Sequence, residues 1–467
     1  MAASLSTIAP ELVLLLIPFL NTRDLSRLSR TCRKLHELAL QYTYEGIHWE
    51  YNVHRRTPPS YLLLRTLSQR PIYGSFVKHV SFQCQQNAPR YEPKLGFPLS
   101  LPSSFMATIE HHLPQAHKHL PNLWKHQIAN GDVGACVAMI LAFLPGLETL
   151  CPESFFVDFR CLAGLFMSSD SFPKLRHILL DGRSVTQPGS PLDQHCWHKR
   201  YFLRLFELPS LVTAVINFPA MAQGRLLLPA EWPILRNLTM LQLPQCHSPP
   251  RVLEHILQSS PPLQKLVYSY NLPGLELNEI EKQMINLTSL SKAIEQVFKT
   301  LRSLYLGVNF DVSVSQLDVP GLANGPFQGL TMSLEQCEQL ERLYIPLMML
   351  VDWHGTGDLS LASKLPRSLK TLGLRDKEMG WRGCDLTPDD LIGMIEELLE
   401  EKANGTREAF ESVTFEIWSV NVGWRRQDLE YLGEICSNSG VKTGGRVLKP
   451  LEEATWERRR PYGEMWH

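Results

Sequence analysis

The chain has 467 residues, of which 44% are hydrophobic and 20% charged, and its formal net charge is −1. This composition is typical of a globular protein with enough apolar material for a sizeable core. The near-zero net charge provides no strong field for nucleic acid or for a membrane surface, so neither is predicted as a partner.

Ten cysteines are scattered through the sequence, and no pair is spaced as Cys-x-x-Cys. This spacing favours the reduced thiols of an intracellular protein over a zinc site. The apolar run at residues 11–20 has no basic residue before it and no small-residue cleavage site after it, so no signal peptide is expected. We predict a cytoplasmic or nuclear protein without a metal or another cofactor.

The apolar run at residues 11–20 is too short to span a bilayer, which takes about 20 residues. A polar break follows, in which Asn21 or Thr22 is the expected N-cap of a second helix. From Leu25 to Leu38, apolar residues recur three and four apart with basic residues between them, which is typical of an amphipathic helix. Residues 8–42 are therefore predicted to form two or three short helices around a small leucine-rich centre.

A helical unit of about 40 residues buries too little surface to be stable alone. The first helix is apolar on nearly every side, so one side packs on the second helix and the remainder needs another partner. That partner is either the rest of this chain, as in an ordinary helical hairpin, or a second protein.

The segment from Ile8 to Leu35 resembles an F-box, whose pattern is Leu-Pro-x-Glu-Leu, a Leu/Ile-rich helix, a short break, Asp-Leu, and Leu-x-x-x-Cys-Arg. The matching positions are Glu11, Leu12, Leu16, Leu20, Asp24, Leu25, Leu28, Cys32, Arg33 and Leu35. The usual Leu-Pro pair is replaced by Ile8-Ala9, and the proline follows at Pro10. Residues 44–80, with Tyr44-x-x-Ile-His-Trp49 and a later Pro58-Pro59, resemble the F-box proteins of filamentous fungi.

The resemblance implies that this chain binds the Skp-type adaptor of a cullin-RING (SCF) ubiquitin ligase and, through it, a cullin. The adaptor-binding residues that it implies are Ile8, Pro10, Leu12, Leu16, Leu20, Leu25 and Leu28. Ubiquitin chemistry would take place on other subunits. The chain is therefore expected not to be an enzyme, in keeping with a sequence that has no nucleophile elbow, phosphate loop or dinucleotide-binding motif.

From residue 77 onward, the pattern apolar-x-x-apolar-x-apolar recurs ten times. The copies begin at Val77, Leu147, Leu175, Leu211, Leu238, Leu263, Leu301, Leu340, Leu369 and Phe410. This resembles the leucine-rich repeat, in which Leu-x-Leu is a short strand with one buried face. From Leu147 onward, the intervals range from 25 residues (238 to 263) to 41 (369 to 410), whereas standard repeats take about 20–29.

The predicted fold class is α/β, with an N-terminal helical F-box (1–50), a helical connector (51–75) and an irregular leucine-rich-repeat-like solenoid of short parallel strands and helices (76–467) that ends in a cap. The alternative is a generic α/β protein with scattered leucine-rich strands. Helices are predicted at Gln194–Leu208, Pro250–Ser259, Leu277–Leu301, Pro388–Lys402 and Arg425–Ser437. Loops are predicted at 86–104, 186–193 and 318–329.

Two residue clusters have alternative interpretations. His111, His112, His117 and His119 lack a carboxylate or thiol at ligand spacing, which favours a solvated loop over a metal site. The tryptophans of the last 50 residues, with Arg425, Arg426 and residues 458–460, either seal the end of the solenoid or form binding hot spots.

The strands of a solenoid line its concave face, so the strand residues that alternate with the buried leucines are the predicted substrate-binding residues. They are Gln242, Val267, Tyr305 and Tyr344. Gly373 is expected to leave a shallow spot in that row. The alternative is that a loop such as 318–329 covers the face and packs on the tyrosines.

The predicted function is that of the substrate-recognition subunit of an SCF ubiquitin ligase, with an unknown protein substrate. The alternative is a non-degradative F-box scaffold held with the Skp adaptor alone. The sequence does not separate these two functions.

Overall fold

The chain divides into two compact units, residues 1–237 and 238–467, in the computed structural model. The residues that the structure describes are 8–51, 60–84, 103–113, 118, 124–125, 127–128, 133–152, 165–166, 172–181, 203–217, 236–246, 250–259, 261–272, 285–310, 327–352, 359–375, 386–418 and 424–448. Within these ranges, none of the helices has the length and apolar character needed to cross a membrane.

Three short helices open the first unit, as the leucine spacing predicts. They are α1 (Pro10–Leu16), α2 (Thr22–Ser29) and α3 (Arg33–Glu45), with a 3-10 turn at Ile17–Phe19. Their shared core consists of Val13, Ile17, Leu25, Leu35 and Ala39. The expected N-cap of α2 is confirmed at Asn21, whose side-chain oxygen accepts a hydrogen bond from the Asp24 amide at 3.0 Å.

The α3 helix leads directly into a parallel sheet of five strands, which follow one another in chain order. The strands are β1 (Gly46–Tyr51), β2 (His79–Cys84), β3 (Thr149–Pro152), β4 (His177–Asp181) and β5 (Thr213–Asn217). The helices of this part are α4 (Ser60–Gln69), α5 (Ile72–Phe76), α6 (Ser103–His112) and α7 (Val133–Ala142). The last five residues of the predicted 1–50 segment thus belong to the sheet.

The second unit contains seven parallel strands that also follow chain order. They are β6 (Met240–Cys246), β7 (Lys265–Leu272), β9 (Ser303–Phe310), β11 (Arg342–Pro346), β12 (Thr371–Arg375), β13 (Ser412–Trp418) and β14 (Lys442–Leu448). Two short strands, β8 (Ile285–Asn286) and β10 (Phe327–Gln328), pair with each other. The helices are α8 (Pro250–Leu257), α9 (Leu287–Glu295), α10 (Pro388–Ala403) and α11 (Arg426–Asn438).

Each of the ten pattern copies coincides with one of the strands β2 to β7, β9 and β11 to β13. The first apolar residue of every copy is at most 3% exposed, and the strand starts two residues later. At the strand start, one carbonyl of the preceding copy accepts two successive amides: the Arg302 oxygen accepts from Glu341 at 2.9 Å and from Arg342 at 3.0 Å. This arrangement recurs in both units, so the same segments that fill the core also set the register.

The α/β class and three of the five predicted helices are confirmed as α8, α10 and α11. The predicted helix Leu277–Leu301 is shorter, since α9 begins at Leu287 with Asn286 as its N-cap. Of Gln194–Leu208, the described part contains a 3-10 helix at Leu203–Glu207. The predicted loop 186–193 lies outside the described residues, as does most of 86–104 and 318–329. The described ends of the latter two belong to helix α6, which begins at Ser103, and to strand β10, contrary to the prediction. The strands β1, β8, β10 and β14 were not predicted.

Candidate functional site

Four large apolar side chains of the N-terminal helices lie open to solvent. Leu12, Leu15, Leu16 and Phe19 are 55%, 67%, 53% and 85% exposed, and together they define the leucine surface. They lie on α1 and on the 3-10 turn that follows it, a segment that is apolar on nearly every side. Val13 and Ile17 take the buried side, while the leucine surface takes the opposite side at spacings of three and four.

The structure divides the predicted adaptor-binding residues into three groups. Leu12 and Leu16 belong to the leucine surface. Ile8, Leu20 and Leu28 are partly buried against the core of the three helices, and Leu25 lies inside that core at 5% exposed. Pro10 is half-buried at the first position of α1, where a missing amide costs no helical hydrogen bond.

Leu25 therefore does not contribute to an exposed surface, contrary to the prediction. Leu20 and Leu28 are only partly exposed. Leu15 and Phe19 belong to the leucine surface although sequence analysis did not select them. The signal was present, because Leu12, Leu15, Leu16 and Phe19 repeat at the period of one helical face.

The segment before α1 is fixed to α3. The Lys34 ammonium donates a hydrogen bond to the Ile8 carbonyl oxygen at 3.0 Å. Other basic residues of this region form exposed pairs within one helix: Arg27 with Asp24 at 3.3 Å and Arg33 with Glu37 at 3.0 Å. Exposed pairs of this kind contribute little stability, so the apolar core is the main support of the leucine surface.

A second candidate site is the strand face of the second unit. The predicted substrate-binding residues lie in register across adjacent parallel strands, Gln242 beside Val267, Val267 beside Tyr305, and Tyr305 beside Tyr344. Gly373 comes next on the following strand. The row, called the central row below, lies opposite the buried leucines because alternate strand residues face opposite sides of a sheet.

The two tyrosines of the central row stack on each other. Their ring centroids are 4.7 Å apart and their planes differ by 4°. Both side chains are half-buried. A Cβ atom placed on Gly373 would overlap the ring of Tyr344, so that ring occupies the spot that was expected to be shallow.

The other members of the central row differ in accessibility. Gln242 is 1% exposed, so it is not accessible to a ligand, contrary to the prediction. Its amide nitrogen donates to the sulfur of Met240 at 3.1 Å. Val267 is half-buried. The accessible part of the predicted site therefore consists of Val267 and the two tyrosines.

Two buried residues of opposite charge lie two residues further along the strands, on the same side as the central row. Arg375 and Glu416 are register partners and are 3% and 8% exposed. The guanidinium of Arg375 donates a hydrogen bond to the Val308 carbonyl oxygen at 3.3 Å. Burial, and then the Glu416 carboxylate, raises the pKa of the Tyr344 hydroxyl far above its ordinary value, so Tyr344 stays neutral.

The histidines and other potential metal ligands form no further site among the described residues. No group of three or more His, Cys, Asp or Glu side chains is arranged to hold a metal ion there. His111 and His112 end α6, whereas His117 and His119 lie outside the described residues. The same holds for Trp456, Trp466 and residues 458–460, so the predicted cap stays a prediction.

Comparison with known proteins adds no assignment to these two sites. No protein-family model matches the chain, and no curated protein matches it.

Proposed function

We propose that this chain is the substrate-recognition subunit of an SCF-type cullin-RING ubiquitin ligase. The N-terminal helices act as an F-box and bind a Skp-type adaptor, and the leucine-rich-repeat-like strands present a protein substrate. The chain itself performs no ubiquitin chemistry in this proposal, since the other subunits supply it.

The observation that carries the proposal is the leucine surface. Leu12 and Leu16 match the family pattern and are also more than half exposed. A cluster of exposed leucines with an aromatic neighbour is costly in water and is typical of a protein interface. The helices have a separate core beneath it, so the exposed residues are not needed for their own packing.

The repeated strands support the second half of the proposal. Their leucine pattern, their parallel order and their shared register are all features of a leucine-rich-repeat domain. Such a domain offers a long row of side chains on one face, which suits the binding of another protein.

The test is binding of the full chain to a purified Skp-type adaptor. The variant Leu12→Asp with Leu16→Asp is expected to reduce binding at least tenfold, because each aspartate would be buried without a partner in the complex. The control is Leu62→Asp with Leu330→Asp, two leucines that are 44% and 79% exposed elsewhere. Melting curves of all variants verify that the chain remains folded.

Equal binding by the wild type and the Leu12/Leu16 variant would reject the proposal. Co-purification of the adaptor without a cullin would instead favour the non-degradative scaffold. Co-purification of both, with loss of both in the variant, supports the ubiquitin-ligase subunit.

A further inference from the structure

A row of basic and hydroxyl side chains runs beside the central row on the second unit. The residues are in register on six successive strands of the parallel sheet and are called the basic row. They are Lys265, Ser303, Arg342, Thr371, Ser412 and Lys442. The first four of them come two residues before Val267, Tyr305, Tyr344 and Gly373 of the central row, and the last two come two residues before Thr414 and Gly444, which continue the register of that row. Both rows therefore face the same side of the sheet.

The basic row carries three cations and no carboxylate. Arg342 and Lys442 are exposed, and Lys265 is half-buried. In the described part of the chain, neither Lys265 nor Arg342 forms an ion pair with an acidic side chain. The pKa of Lys265 is lowered by burial and by the positive charge of Arg342. The two cations are therefore close enough to repel each other, which a bound anion would relieve.

The residues immediately before the basic row show a different charge pattern. Arg302, Glu341, Lys370 and Glu411 alternate in sign on successive strands, and the Lys370 ammonium lies 3.3 Å from the Glu341 carboxylate. The two positive and two negative charges of this neighbouring row therefore cancel. Of these two rows, the basic row alone has an excess of positive charge.

Hydroxyl groups lie between the cations. Ser303 lies between Lys265 and Arg342, while Thr371 and Ser412 lie between Arg342 and Lys442. The Ser412 hydroxyl donates to the Thr371 hydroxyl at 3.1 Å. Hydroxyls and cations together are the donors that bind carboxylates in proteins. The Tyr305–Tyr344 stack next to them provides apolar contact area, and tyrosine is enriched at binding hot spots.

We propose that the basic row and the adjacent tyrosines bind an acidic, extended peptide segment that lies across the strands. This inference deepens the proposed function. It rests on that function only where it takes the bound segment to be a substrate. Six strands at about 4.8 Å spacing span about 24 Å, which corresponds to roughly seven residues of extended chain. The Lys265–Arg342 and Arg342–Lys442 separations, about 10 and 14 Å, suit carboxylates several residues apart.

Charge density argues for a peptide rather than a nucleic acid. Nucleic-acid binding depends on many cations that neutralise closely spaced phosphates. The basic row has only three cations in about 24 Å, and the whole chain has a net charge of −1. A few separated carboxylates match this arrangement better than a phosphate backbone does.

The experiment measures binding of fluorescein-labelled (Glu-Ser)5 to the full chain by anisotropy at low salt, with (Gln-Ser)5 as the neutral probe. Alternate glutamates of an extended chain point to the same side. The wild type is expected to bind the acidic probe at least tenfold more tightly than the neutral one. Lys265→Gln with Arg342→Gln should abolish most of that difference.

The matched control is Arg302→Gln with Arg367→Gln, which also removes two positive charges, but from exposed positions outside the basic row. It should change the affinity less than twofold. Equal weakening by both double variants, equal binding of both probes, or tighter binding of a 20-nucleotide single-stranded DNA would each overturn the proposal.

Adaptor binding is measured on the same samples and is expected to be unchanged in both double variants. Loss of the acidic probe with intact adaptor binding rejects only the peptide site. Absence of adaptor binding in the wild type, with the acidic probe still bound, rejects only the ubiquitin-ligase assignment.

Discussion

The ring of Tyr344 lies over Gly373 on the neighbouring strand, at a position where any Cβ atom would overlap its carbons. Glycine is therefore required at position 373 because the Tyr344 ring leaves no space for a side chain, and not because of a turn in the backbone. Gly373→Ala should lower the free energy of unfolding by about 1–3 kcal/mol because the ring or the strand has to move.

A double-variant cycle tests this relationship by urea unfolding. In the Tyr344→Ala background, Gly373→Ala should cost much less, so the two effects should not add. Gly393→Ala is the control, since Gly393 is exposed in α10 with open space around it. That change should stabilise the chain by about 0.5–1 kcal/mol. Additive costs at positions 373 and 344 would refute the contact.

Leu304 is a central core residue of β9 at 1% exposed, as its place in the leucine pattern predicts. Leu304→Ala should lower the free energy of unfolding by roughly 2–5 kcal/mol because it leaves a cavity among packed side chains. Leu330→Ala, at 79% exposed, should change it by less than about 0.5 kcal/mol. Similar values for the two variants would contradict the assignment of Leu304 to the core.

The strands could be predicted because their apolar spacing reports directly on burial. Every copy of the pattern, from Val77 to Phe410, starts at a buried residue and continues into a strand. The β14 strand was missed because its sequence has Thr443 and Gly445 at the register positions where β13 has Val413 and Phe415. Pairing with β13 forms this strand, and pairing is a tertiary interaction that local spacing does not reveal.

The candidate sites were less predictable, since accessibility depends on what covers a face. Leu16 and Leu25 both occupy leucine positions of amphipathic helices, yet Leu16 is exposed and Leu25 is in the core because of where α3 lies. Gln242 alternates with buried leucines, but the face that it shares is covered at that point. The basic row could be found only once the strand register placed Lys265, Ser303 and Arg342 side by side.

Arg407 is a buried cation whose partners come from a distant loop. Its side chain is 4% exposed and contacts the Glu401 carboxylate. Its guanidinium also donates to the carbonyl oxygens of Pro366 at 2.8 Å and Leu365 at 3.0 Å. Arg407→Ala leaves these acceptors buried without a donor, which should cost roughly 2–5 kcal/mol in chemical unfolding.

Arg367, an exposed residue directly after Pro366 in the chain, provides the control for Arg407. Arg367→Ala should change the free energy of unfolding by less than about 0.5 kcal/mol. Arg407→Lys keeps the charge but cannot reproduce the fork of donors, so it should recover only part of the loss. Full recovery by lysine would show that charge alone matters at this position.

Buried thiols should make the chain sensitive to alkaline pH. Burial raises the pKa of Cys337 to about 12 and that of Cys436 to about 11. Thiols of the unfolded chain ionise near pH 8.5. The unfolded state therefore loses protons first, and the stability that these thiols contribute falls as pH rises from about 8.5 towards 11.

Iodoacetamide labelling at pH 8.5, read residue by residue by mass spectrometry, tests the same thiols in the native state. The thiolate is the reactive form, so Cys337 and Cys436 should react about 100-fold or more slowly than in urea. Cys32, which is only partly buried at the start of α3, should be labelled before them. Rapid native labelling of Cys337 would show that it is accessible, and the packing assigned to the turn before β11 would then be wrong.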